Sequence, residues 1–283
     1  MENNEEMRNE VLKNENIIVC GNRFKDVTIY AKTLDELYFL AIKAALAFGR
    51  KYKIDSGSYA GSHRFEFDNA KLIVEYPTTR PLAPTPRQGI PVPTNDEKIE
   101  LYYNNYLMNG YLEPNEHYRY SSWIVGMPED IPLKELTEES VPRGTRFNQL
   151  QWCIDHFIKD GFGTNHCYIR VGCAEGLKRY DWPYKSDAEK GSTECMTGLS
   201  LKIKKSDNDQ YYLNGKITFR SWDMIDGMPE NLGGIVRLLE ETAGEIEKKS
   251  KKLVKIGTLF ADSDGLHVYD HFLDYAKLYT NTT

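Results

Sequence analysis

The chain has 283 residues, 40% hydrophobic and 12% aromatic, which is enough apolar material for a sizeable core in one domain or two. Its net charge of −6 disfavours a general affinity for nucleic acid or an anionic membrane, so an anionic small ligand would need a local basic pocket. No apolar run reaches the roughly twenty residues of a membrane span, and the acidic, polar start MENNEEMRNE does not read as a signal peptide. Five cysteines (Cys20, Cys153, Cys167, Cys173 and Cys195) show no paired zinc spacing, and their number is odd. Reduced thiols in a cytoplasmic protein without a bound metal are the expectation.

Residues 1–16 read as a flexible, solvated start and residues 17–283 as one folded domain. NIIVCG is a strand candidate. Residues 33–53 carry apolar side chains at helical spacing. A Gly/Ser loop and strand-like alternation follow, then the proline-dense run PTTRPLAPTPRQGIPVPTNDE, which cannot form regular structure and reads as an ordered surface loop. EKIELYYNNYLMNG is predicted helical, and a long loop follows over residues 126–145. The helix FNQLQWCIDHFIKDGF then leads into the strand HCYIRVG. Cys195 heads an alternating run, Leu199, Leu201 and Ile203, and LNGKITF is a second strand of this region. GGIVRLLEETAGEIEKK is an amphipathic helix with Ile235, Leu238, Leu239 and Ile246 on one face. Helices and strands without regular βαβ alternation predict an α+β fold.

The run FRSWDMIDGMPEN, residues 219–231, holds the densest chemistry. Arg220 offers a planar donor fork suited to phosphate, and Asn231 offers both a donor and an acceptor to a planar ring edge. Ser221 and Asp223 add a hydroxyl and a carboxylate. Alone, the run is equally readable as a Gly/Pro turn with solvated charges. Asn231 also reads as an N-cap for the helix after it, and Cys195 as an inert buried thiol. His267 and Tyr269, two apart in an extended segment, share one face.

The order of these segments resembles thymidylate synthase, in the shorter archaeal form and its pyrimidine nucleotide hydroxymethylase relatives. That family carries a nucleophilic cysteine before a strand, then R-S-x-D-x-x-x-G-x-P-x-N, then H-x-Y. Here these are Cys195, Arg220 to Asn231, and His267-Val268-Tyr269. The resemblance covers residues 148–278, extends more weakly over residues 64–120, and is absent before that. It implies a thymidylate synthase-like fold, a mixed β-sheet flanked by helices, in a homodimer.

The implied reaction is C5 methylation of dUMP to dTMP, with 5,10-methylenetetrahydrofolate as co-substrate and Cys195 adding to uracil C6. The alternative is hydroxymethylation of dUMP, UMP or dCMP at C5. The resemblance gives phosphate to Arg220, Ser221 and a mobile Arg64, and the base to Asn231. An aspartate at the Asn231 position marks members acting on cytosine. The sugar 3′-hydroxyl goes to His267 and Tyr269, and the pterin to Asp223 beside Gly227. Acid–base work falls to Glu100, with Glu97 and Glu66 as weaker matches, and Tyr120 matches a family tyrosine.

Three features depart from the family pattern. A pair of arginines that reaches a partner's phosphate is replaced by Thr164-Asn165-His166, for which Arg80, Arg87, Arg143 or Arg146 could compensate. The proline before the nucleophile is Glu194, an acidic neighbour that would raise the thiol pKa. The chain ends at LYTNTT, unlike the folate-covering tail of bacterial and eukaryotic members.

Overall fold

A computed structural model describes residues 2–21, 23–55, 59–86, 89–113, 116, 118–132, 137–138, 140–181 and 193–281. The first elements are α1 (Glu2–Lys13), β1 (Ile17–Cys20), β2 (Asp26–Ala31), α2 (Leu34–Phe48), β3 (Arg50–Lys53), β4 (His63–Phe67), β5 (Asn69–Val74) and α3 (Asp96–Tyr102). Next come β6 (Thr137–Glu138), β7 (Val141–Pro142), α4 (Gln149–Asp160), β8 (Tyr168–Arg170), β9 (Met196–Lys205), β10 (Tyr211–Phe219) and β11 (Trp222–Asp223). The last are α5 (Gly227–Ser250), β12 (Val254–Ser263), β13 (Leu266–Tyr269) and α6 (Leu273–Thr280). This is a mixed α+β architecture, as the sequence pattern predicts. None of the five cysteines is in a disulfide. Among the described residues no helix is long and apolar enough to cross a membrane.

The chain divides into two compact units. The first comprises Met1–Ile99, Phe219–Val236 and Thr258–Thr283; the second comprises Glu100–Thr218 and Arg237–Gly257. In the first unit one sheet runs β1-β2-β5-β12, with β1 antiparallel to β2, β2 parallel to β5 and β5 antiparallel to β12. A second sheet runs β11-β13-β4-β3, in which β11 and β13 are parallel and the other pairs antiparallel.

The helix α2 is packed against α1, α6 and β2, and its sequence explains its limits. Thr33 caps it by accepting from the Glu36 amide, while the Glu36 side chain accepts from the Lys32 amide at 2.6 Å. Leu37, Ala41, Ile42, Ala44 and Ala45 are completely buried. The helix ends at Gly49, where a Cβ would sit 2.5 Å from the Ala45 carbonyl oxygen. Its backbone leaves the helix there at ψ 136°, and residues 50–53, expected to continue the helix, form β3. Residues 2–13, read from sequence within a solvated start, form α1, whose Val11 is 1% exposed. The proline-dense run is fastened by Asp96, which accepts from the Ala83 amide, and Asp35, which accepts from the Thr85 amide.

In the second unit β10, β9 and β8 are neighbours in that order, with β8 antiparallel to β9. Asn148 caps α4 by accepting from the Gln151 amide at 2.8 Å, and Gly161, at φ 91°, closes it. The loop expected over residues 126–145 holds the short hairpin β6–β7. A 3₁₀ helix, Ala174–Asp181, packs against β7. The helix α5 starts at Gly227, six residues before the predicted Gly233, so Asn231 lies inside it and is not its N-cap. Its predicted stripe of Ile235, Leu238, Leu239 and Ile246 is buried.

Candidate active site

In the first unit, three strands bring distant parts of the sequence motif into register. The parallel pair β11–β13 matches Asp223 with His267, and the amide of Met224 donates to the His267 carbonyl at 2.9 Å. Across β13 and β4, His267 opposes Glu66 and Tyr269 opposes Arg64. Arg220 and Ser221 occupy the turn between β10 and β11, half-buried. The Arg64, Asp223, His267 and Tyr269 positions, 205 residues apart at their extremes, thus lie on neighbouring strands.

His267 is 2% exposed. Its Nδ1 lies 2.9 Å from the Gly265 carbonyl, which fixes the tautomer with hydrogen on Nδ1 and a lone pair on Nε2. Burial pushes its pKa down to about 4, so the ring is neutral at neutral pH. Among the described residues Nε2 has no hydrogen-bond partner. The ring meets Tyr269 edge to face, with centroids 4.7 Å apart.

Asp223 is raised to about 6, chiefly by burial, while the amide of Ile225, donating to Oδ1 at 2.8 Å, opposes the shift. Glu66 is also raised by burial, against the pull of Arg64. Arg64 Nη2 donates to Glu66 Oε1 at 3.2 Å, and Nε lies 2.7 Å from Oε2 without hydrogen-bond alignment. By sequence Glu66 ranks behind Glu100; its place opposite His267 depends on strand register, which composition does not reveal.

Asn231 is oriented by Trp222, whose indole N–H donates to its Oδ1 at 2.9 Å. Trp222 in turn stacks on Phe219 at 4.1 Å between centroids. Gly227 faces this pair, its nearest neighbour for an added Cβ being Asn231 Oδ1 at 3.7 Å.

The second unit holds Cys195, one residue before β9, and Tyr120. The Met196 amide donates to Tyr120 Oη at 3.3 Å. Burial pushes the Tyr120 phenol well above its usual range, with Tyr118 and Cys195 adding to the shift. Glu100, half-exposed on α3, accepts from Arg237 Nε. Arg237 also donates to Glu240 and lies over the Tyr103 ring.

Thr164 and His166, where the resemblance expects arginines, both meet His156. His156 Nε2 lies 3.0 Å from Thr164 Oγ1 and 3.2 Å from His166 Nδ1. Of the compensating arginines, Arg143 and Arg146 donate to the backbone carbonyls of Glu116, Pro128 and Ile131, and Arg80 to that of Thr78. Arg87 lies outside the described residues. Among the described residues no group of three or more His, Cys, Asp or Glu side chains is placed to hold a metal ion.

Together the mixed sheets, their flanking helices and the order of these elements define a thymidylate synthase-like fold. Among solved structures the chain is similar to the thermostable thymidylate synthase A from Bacillus subtilis. The TM-score is 0.53 at 14% identity, over 88% of this chain and 84% of that one. No protein-family model matches the chain. No curated protein sequence matches it.

Proposed function

We propose that this protein adds a one-carbon unit to C5 of a pyrimidine nucleoside monophosphate, converting dUMP to dTMP with 5,10-methylenetetrahydrofolate, as a cytoplasmic homodimer. The observation carrying this reading is the register that sets Asp223 beside His267 and Arg64 beside Tyr269. Solvated turn charges have no reason to gather on adjoining strands around a buried histidine.

Uracil C5 is a poor nucleophile until something adds at C6. The Cys195 thiolate forms the C6–S bond, and the electron pair of the ring double bond is released toward C5. C5 then bonds to the methylene carbon as one of its two C–N bonds to the folate opens. Loss of the C5 proton expels the folate by breaking the second C–N bond and leaves an exocyclic methylene; for a methyl product the freed folate gives that carbon a hydride as the C6–S bond breaks and returns the thiolate. Glu100 and Tyr120 are the proposed proton-transfer groups.

Arg220, Ser221 and Arg64 are assigned the phosphate. Neutral His267, with its Nδ1 hydrogen committed to Gly265, can accept from a sugar hydroxyl through Nε2. Asn231 takes uracil N3–H and O4, in an orientation that Trp222 supports. Asp223, a largely buried carboxyl group beside Gly227, suits the N–H edge of a pterin ring.

Incubation with dUMP and methylenetetrahydrofolate, with UMP and dCMP in parallel, tests this reading by product mass. A methyl gain on dUMP with dihydrofolate formation supports it. A hydroxymethyl gain, in which water takes the place of hydride, moves the protein to the hydroxymethylase class. No product from any of the three, with Cys195 unreactive, would remove the catalytic reading.

A further inference from the structure

Glu194 directly precedes Cys195, and by sequence alone it is an acidic neighbour that opposes thiolate formation. The structure encloses that carboxyl group: Glu194 is 4% exposed. Its Oε1 accepts from Trp123 Nε1 at 2.9 Å and lies 3.5 Å from Arg179 Nη1. Arg179 is completely buried, and its Nη2 donates to the Pro142 carbonyl at 2.8 Å. Gly172 closes the niche at φ 85°, where an added Cβ would come within 3.1 Å of Glu194 Oε2.

The neighbouring residues repeat this pairing, since Tyr180 Oη lies 3.0 Å from Thr193 Oγ1. Two consecutive residues of the 3₁₀ helix thus grip the two residues that lead into Cys195. On its other side Met196 is tied to Tyr120. The nucleophile candidate is therefore fixed at both flanks.

A buried carboxylate without a partner would be strongly destabilising, and a buried guanidinium equally so. Side by side, their opposite charges largely cancel at a neighbouring atom. The Cys173 thiol faces this cluster and is pushed up by burial, with Glu194 and Glu175 adding and Arg179 opposing. The Tyr120 phenol is raised by burial.

We propose that Glu194, Arg179 and Trp123 form a buried charge pair with a capping donor that positions Cys195 and balances the electrostatic field at its thiol. Its use in catalysis rests on the reading of Cys195 as nucleophile, but the balance itself does not. Arg179, Glu194 and Trp123 are positioning residues, acting through the thiol.

The test is the pH dependence of iodoacetamide alkylation of the full chain, read by mass spectrometry on the Cys195 peptide. Arg179→Gln leaves the Glu194 charge uncancelled and should raise the alkylation midpoint by about one pH unit. Glu194→Gln leaves the cation and should lower it by about one unit. The double variant should return close to the unaltered chain. Trp123→Phe keeps the ring but removes one donor, giving a smaller rise; it also serves should Arg179→Gln fail to fold. Unmoved midpoints in folded Glu194→Gln and Trp123→Phe would overturn the proposal. Alkylation needs neither nucleotide nor folate. Absent turnover with shifted midpoints would therefore remove the proposed function alone, whereas turnover with unmoved midpoints would remove this inference alone.

Discussion

Trp222 donates its indole N–H to the side-chain oxygen of Asn231 at 2.9 Å, nine residues along the chain. The bond selects one of two amide orientations, because only the oxygen can accept from an indole. Replacing Trp222 by Phe would keep the stack on Phe219 and remove the donor. Stability should fall by about 1 kcal/mol, the net worth of a typical hydrogen bond. If Asn231 reads the base, preference for dUMP over dCMP should narrow about fivefold, as that energy implies. Isothermal titration with both nucleotides measures it; unchanged discrimination in a folded variant would mean that the orientation is set elsewhere.

Arg64 and Glu66 form a partly buried pair whose two ends are unequal: the Glu66 side chain is 9% exposed and that of Arg64 33%. Arg64→Met strands a carboxylate out of water, while Glu66→Gln leaves a guanidinium that can still reach solvent. Arg64→Met should therefore cost about 2 kcal/mol and Glu66→Gln about 1 kcal/mol or less. Urea denaturation at pH 7 would show this as unequal midpoint shifts at constant slope. Burial already raises Glu66, and losing Arg64 removes the opposing pull. The Arg64→Met penalty should accordingly shrink as pH falls and Glu66 takes up a proton.

The sequence made local order legible wherever one short segment carried it. The stripe of α5 and the extended segment of His267 and Tyr269 both follow from spacing. Gly49 is visible in the sequence as a helix stop, but the crowding that a side chain would meet there, at the Ala45 carbonyl, is not. The start of α5 lies earlier than its sequence suggests, because Gly227, Pro229 and Gly233 resemble loop residues. Yet Pro229 falls in the first helical turn, where proline is tolerated, and at Gly233 an added Cβ would lie 2.6 Å from Ile99. The surroundings of Glu66, Trp222 and Glu194 are not legible in the sequence. Each depends on a partner from another strand or helix, and alternation within one segment carries no information about it.

Glu100 offers a separation between stability and chemistry. Its carboxylate accepts from Arg237 but is half-exposed, and Arg237 keeps Glu240 and Glu241 when it is lost. Glu100→Gln should change stability by no more than about 1 kcal/mol, as for solvated ion pairs. If Glu100 handles the proton, the same variant should lose at least about a hundredfold in turnover. A folded variant with near-normal turnover would take Glu100 out of the proposed mechanism and turn attention to Glu66.

Asp223 and His267, cross-strand partners, should bend the stability curve in opposite directions. Burial lowers His267 to about 4 from an unfolded value near 6.5. Between these values the unfolded chain binds the extra proton, so the stability His267 contributes is present above pH 6.5 and lost as pH falls toward 4. Asp223 is raised to about 6 from about 3.8. Between those values the folded chain binds the extra proton, so its contribution is present below pH 3.8 and lost as pH rises through 6. The two effects overlap from pH 4 to 6, each up to about one proton, and should largely cancel. Asp223→Asn removes one side and should steepen the loss of stability on acidification. His267→Gln removes the other and should leave stability rising as pH falls through that window. Thermal melts of both variants from pH 4 to 7 would show the slopes diverging; parallel slopes would mean that these two groups do not control the acid limb.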